Sequence, residues 1–227
     1  TFARSDSSDA RVLASEPERE DLDDVHDSLR EARTLIALGD GAAAGAPIAR
    51  ANSRANAADA PRLRAEALLL SARAQLLLGK TADAERSLRE SILLAAQTGR
   101  ADVEAAAWTS TLDVVALRQG LFDAGRRIAL GAEAAIARAG DDPLARAQLL
   151  VSLGSIALAE GSYQDALDHF ERALEVELEH LPADDLRLAG LHEWIGAALE
   201  GLARYGTAIE HHQASLSIRE QVLGPSH

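Results

Sequence analysis

Residues Leu149–Val176 read LLVSLGSIALAEGSYQDALDHFERALEV, two amphipathic helical runs joined at Gly161-Ser162. Small and large apolar residues alternate at helical spacing in both runs, so each carries its apolar stripe on one side. A hairpin of this kind cannot bury its stripe alone and needs neighbours like itself. The rest of the chain supplies them.

Turn positions fall at Gly39, Gly79, Gly120, Gly161 and Ala203, spaced 40, 41, 41 and 42 residues apart. Five residues after each turn stands a small residue: Ala44, Ala84, Gly125, Ala166 and Ala208. Four further on comes a filler (Ile48, Leu88, Ala129, Phe170, His212), and three beyond that another small residue (Ala51, Ser91, Ala132, Ala173, Ser215). Small residues let two helices approach closely, and the filler occupies the space between them. The pattern predicts an all-α array of about five helical hairpins.

The units are expected at about 22–58, 61–99, 101–140, 143–180 and 184–223. Residues 1–21 are polar and acidic and read as a linker or loose helix ahead of an array over 22–227. Pro47 should kink or delay the second helix. Pro61 suits a first helical turn, and Asp142-Pro143 reads as N-cap and first turn. Gly99 is a left-handed stop.

The composition agrees. Hydrophobic residues make up 47% of 227 but aromatic ones only 3%, and 48 are alanine, the strongest helix former. The absence of cysteine excludes disulfides and thiolate zinc sites. No apolar run is long enough to span a bilayer, so no membrane insertion is expected, and Thr1 opens no signal-peptide pattern. The lack of any methionine leads us to expect a fragment of a longer chain. A cytoplasmic location is the matching expectation. The net charge of −13 is uneven: −5 over 1–60, +2 over 61–140 and −10 over 141–227. Nucleic-acid binding, which depends on clustered Lys and Arg, is not expected.

At the residue level the repeat resembles the tetratricopeptide repeat (TPR) family. The fourth unit carries the likeness best, through Leu150, Leu153-Gly154, Ala157, Gly161, Tyr163, Ala166, Phe170 and Ala173. The fifth follows through Ile195-Gly196, Tyr205, Ala208 and Ser215, with Ala203 in place of the turn glycine. In the first three units Ala32, Ala72 and Asp113 stand where the first-helix glycine is expected. A period near 42 is similar to the long-repeat, kinesin-light-chain-like variety, as is the tail Ser215–His227, SLSIREQVLGPSH. That tail also implies an array cut short at its C-terminus. With Ala32–Gly39 (ARTLIALG), it resembles the C-terminal repeats of myxobacterial-type serine/threonine kinases, although no kinase motif is present. The resemblance implies a right-handed α-α superhelix and a non-catalytic protein-interaction scaffold in a larger bacterial signalling protein. A transcriptional regulator, a signalling ATPase or a self-association module, with a homodimer through the C-terminal repeat, are the alternatives.

Residues with chemistry are few, and no catalytic, cofactor or metal site is expected. His211-His212 beside Glu210 cannot both face one ion, because adjacent helical side chains point about 100° apart; His212, at a filler position, reads as a packed core histidine. His192-Glu193 begins like a zinc-protease helix, but the position of the second histidine is Gly196. His169 and His180 stand on an acidic helix with Glu177 and Glu179, and Gly39-Asp40-Gly41 lacks the Lys-Ser/Thr of a phosphate loop. Trp108 is expected between repeats.

By the resemblance, the first helix of each unit lines a concave groove for a protein or peptide partner. It implies Leu29, Arg33, Ile36, Leu69, Arg73, Leu76, Ser110, Val114, Leu117, Val151, Ser155, Leu158, Glu193, Trp194, Ala197 and Glu200 on that face. The asparagines that grip peptide backbones in such grooves are missing there. Arg33 and Arg73 would suit an acidic partner.

Overall fold

The computed structural model describes residues 16–224, with side chains from residue 22 onward. Among them are ten α-helices: α1 (Glu16–Ala37), α2 (Gly45–Ala57), α3 (Pro61–Leu77), α4 (Thr81–Thr98), α5 (Ala101–Asp113), α6 (Phe122–Arg138), α7 (Pro143–Ala159), α8 (Tyr163–His180), α9 (Leu186–Gly201) and α10 (Tyr205–Leu223). A π-helical turn, Val114–Arg118, extends α5. The described residues contain no strand. The linker expected over 1–21 lies largely outside the described residues, and its last part, from Glu16, is already helix α1.

The chain divides into two compact units, with the boundary between Ala107 and Trp108. In the first, α1 packs on α2, α3 on α4, and α3 also on α1 and α2. Its core joins Val25, Leu29 and Ala32 of α1 to Ile48, Ala51 and Ala55 of α2 and to Ala67, Leu70 and Ala74 of α3. Pro47 delays α2 rather than kinking it. The helix starts at Gly45, which places Pro47 in the first turn, where its missing N–H costs nothing. Gly41 is needed for contact: a Cβ there would come within 2.7 Å of the Ala74 carbonyl oxygen. Ser91 Oγ donates to the Ala65 carbonyl at 2.8 Å, so the small polar residue of the second hairpin is satisfied inside the core.

In the second unit α7 packs on α8, α9 on α10, α8 on α9 and α6 on α7. Leu150, Ala157, Leu167, Phe170, Leu191, Ile195 and Leu199 form its core, with Ala166, Ala173, Ala198 and Ala208 where helices come closest. A fully buried Leu, Ile or Phe contributes about 1.5–3 kcal/mol, so the few large residues carry most of this cluster. Asp142 caps α7 by accepting from the Leu144 amide at 3.2 Å, and Asp185 caps α9 through the Arg187 amide. The Asp185 cap starts α9 at Leu186, later than the Asp184 start read from sequence.

All five hairpin turns place one residue in the left-handed region: Gly39, Gly79, Gly120 and Gly161 at φ +72 to +79°, and Ala203 at +58°. In four of them the next amide donates five residues back: Asp40 to Leu35, Lys80 to Gln75, Ser162 to Ala157 and Arg204 to Leu199. In the third, Leu121 donates six back, to Val115. That hairpin holds one extra residue, and the π turn absorbs it. The register shift brings Leu112 fully inward and leaves Asp113 half-buried, so Asp113 does not take the place of the first-helix glycine. The second helix compensates with Gly125, whose Cβ would meet the Ala116 Cβ at 2.5 Å and Leu112 Cδ1 at 3.3 Å.

Candidate functional site

In the second unit a cavity of about 740 Å³ opens between α6, α7 and α8. Leu153, Ile156 and Ala157 supply apolar lining from one side of α7, and Asp165, Asp168, His169 and Arg172 stand along α8. Arg126 of α6 crosses to Glu160 at 2.6 Å and also holds Asp123 at 2.6 Å. Asp168 accepts from the Gln164 amide nitrogen at 2.9 Å. The His169 Nδ1 atom is buried with no hydrogen-bond partner. Burial, and then the Arg172 charge, hold the His169 imidazole below the usual histidine pKa against the opposing pull of Asp165 and Asp168. The result is an open groove with a mainly charged and polar surface over a floor of largely buried apolar side chains. It can pair charges of either sign along its length, one of the ways peptide segments are recognised.

None of the sixteen residues expected on a concave face lines this cavity. On α7, Val151, Ser155 and Leu158 are half-buried, while the cavity uses Leu153, Ile156 and Ala157. Three of the sixteen are core residues instead: Leu29, Leu69 and Val114 are 1%, 5% and 0% exposed, because hairpin packing consumes their faces. Ile36, Arg73, Leu76, Ser110 and Ala197 are half-buried, and Leu117 is exposed.

The charged members already have partners within the chain. Arg33 pairs with Glu66, a buried carboxylate that also accepts from Arg100 at 3.3 Å. Glu193 pairs with Arg219, and Glu200 lies 3.3 Å from His212 Nε2. Trp194 is 44% exposed and stacks on the buried Phe170 ring, with centroids 6.3 Å apart. Trp108 lies over Gly131, whose Cβ would sit 3.1 Å from the indole. His212 covers Gly196 with its ring but keeps its side chain 38% exposed, so it fills the edge of the hairpin and is not a core histidine.

Two features escaped the sequence reading. Glu177 is buried, with one carboxylate oxygen unbonded, and burial raises its pKa against the weaker opposing pull of Arg187. His192 and His211, 19 residues apart, meet across α9 and α10 with their Nδ1 atoms 3.0 Å apart. A hairpin register for the fifth unit would have been the only signal for that pair.

No protein-family model matches the chain, and no curated protein does. Solved structures match over nearly its whole length. BtubC (BKLC) from P. vanneervenii superposes with a TM-score of 0.60 at 16% identity, over 93% of this chain and 94% of that one. Two structures of the Podosopora anserina putative kinesin light chain with nearly identical TPR-like repeats give TM-scores of 0.58 and 0.56 at 15% identity. They cover 92% of this chain and 99% and 98% of theirs. The likeness is one of fold: the chain has an all-α helical-repeat fold of the TPR-like superhelical class.

Proposed function

We propose that this chain is a non-catalytic scaffold that binds a protein partner, with the α6–α7–α8 cavity as its docking groove. The observation that carries the reading is the cavity's make-up: the charges of Asp165, Asp168 and Arg172 stand in an open groove whose floor, Leu153, Ile156 and Ala157, is largely buried. Three hairpin elements meet there, so a bound segment would touch two successive repeats. The test is affinity capture with the purified chain beside the double variant Asp165→Lys/Asp168→Lys, both positions being exposed. Partners retained by the wild type should be lost by the variant while its circular dichroism is unchanged. Identical partners for both proteins would overturn the groove assignment.

A second surface within the same reading is the exposed face of Trp194, with Ala197 half-buried beside it on α9. Self-association is the alternative supported by α10, which exposes Tyr205, Ile209, Leu216, Val222 and Leu223. Light scattering across concentration separates the two: a dimer lost on Ile209→Glu/Leu216→Glu supports self-association, and a monomer throughout removes it. The wider setting we favour is a bacterial signalling protein such as a serine/threonine kinase acting in the cytoplasm. It rests on the Ala32–Gly39 and Ser215–Gly224 stretches, and the surrounding reading frame tests it.

A further inference from the structure

His192 of α9 and His211 of α10 face each other across the fifth hairpin, with Nδ1 atoms 3.0 Å apart and ring centroids 5.1 Å apart at 43°. Both rings are half-buried. Two imidazole nitrogens at this separation have two uses. With one proton between them, one Nδ1–H donates to the other Nδ1. With that proton moved to Nε2, both Nδ1 lone pairs are free for one acceptor. An ion about 2.0–2.1 Å from each nitrogen, with the two bonds at 90–110°, spans about 2.8–3.4 Å. The observed gap is one edge of such a coordination shell.

We infer that His192 and His211 form a two-nitrogen chelate for a divalent transition-metal ion, Cu²⁺ above Ni²⁺ and Zn²⁺. Imidazole suits these ions, and their order follows the general affinity series. Magnesium and calcium, which require oxygen ligands, are not taken. The surroundings agree. The negative charges of Glu171 on α8 and Glu210 on α10 act on His211 and favour a cation, while His212 opposes it weakly. Among the described residues no group of three or more such side chains could hold an ion together. The chelate is therefore two-coordinate from protein, with the remaining positions filled by water. From the pair that shares one proton, loading shifts that proton from Nδ1 to Nε2 within a ring, and no proton is released.

The test uses the whole chain without an affinity tag. Titration with Cu²⁺ and with Ni²⁺ by calorimetry should show one ion per chain, and Mg²⁺ should show none. His192→Ala and His211→Ala should each weaken Cu²⁺ binding by at least about tenfold, the scale lost when a ligand's support is removed. His180→Ala, on an exposed histidine, should leave it unchanged. Should either variant fold poorly, the electron paramagnetic resonance spectrum of the Cu²⁺-loaded wild type decides: two equivalent nitrogens are expected. Equal binding in the variants, or a spectrum with no nitrogen or only one, means an adventitious ion and overturns the site.

Discussion

The phenyl ring of Phe170 in α8 lies against Gly154 in α7, so closely that a Cβ on Gly154 would stand 2.7 Å from its Cε1. Phe170 is fully buried in one core cluster with Leu150 and Ile195, and Trp194 stacks on it. The ring has nowhere to go. Gly154→Ala should destabilise the chain by about 1–3 kcal/mol, the usual cost of overpacking, despite alanine's better helix propensity. In the double variant with Phe170→Leu the alanine should cost less, a coupling that a denaturation cycle measures. Additive effects would show that the two residues do not share the space.

Ala203 takes the left-handed turn position that glycine fills in the other four hairpins. A Cβ there costs roughly 1–2 kcal/mol, partly offset because alanine has less freedom to lose on folding. Ala203→Gly should stabilise by about 0.5–1 kcal/mol, and Gly161→Ala should destabilise by a similar amount. Urea midpoints at constant m-value check both. A loss on Ala203→Gly would contradict the account of the turn.

Glu66 sits inside the first unit between Arg33 and Arg100, and Arg100 is itself largely buried and shared with Asp102. Glu66→Ala leaves the Arg100 guanidinium with one carboxylate fewer, and about 1–3 kcal/mol should be lost. Arg33→Ala should cost less, because Arg33 is more exposed than Arg100. Thermal denaturation ranks the two, and a reversed order would show that Arg33 is the stronger partner. An Arg33→Glu change would place a second carboxylate beside Glu66, so lost binding in that variant would not locate a binding face.

Glu177 is expected to make stability depend on pH. Burial raises its pKa in the folded chain above the ordinary carboxylate value, so the folded state holds the proton more tightly than the unfolded one. Its contribution is fully favourable below the unfolded value near 4.5 and is lost as pH rises through the raised folded value. At pH 7 the buried charge is a cost, and Glu177→Gln should raise the melting temperature. That gain should shrink as pH falls toward 4.5. A lower melting temperature for the variant at pH 7 would show that the carboxylate has a stabilising partner.

The repeat was legible because it rests on residue size at fixed spacing. Ala44, Ala84, Gly125, Ala166 and Ala208 are all buried where hairpins close, and Ala51, Ser91, Ala132, Ala173 and Ser215 follow them. The π turn in the third hairpin was not legible, since Asp113 keeps the turn spacing while the backbone gains a residue between Asp113 and Gly120. Pairing across helices was harder to read. Which face of α7 stays open depends on how α6 approaches it, and spacing within one repeat does not set that. The concave-face residues followed the repeat period and included Leu29 and Val114, which the hairpin core takes instead. The charges at Arg33, Glu193 and Glu200 looked available because Glu66, Arg219 and His212 are 33, 26 and 12 residues away along the chain.

The central claim is that a partner docks in the α6–α7–α8 groove, and hydrogen exchange on the complex with a captured partner tests it most directly. The account expects slowed exchange over residues 153–172 and around Arg126, with α1–α4 unchanged. Protection confined to α1–α4 or to α10, with 153–172 unaffected, would contradict it.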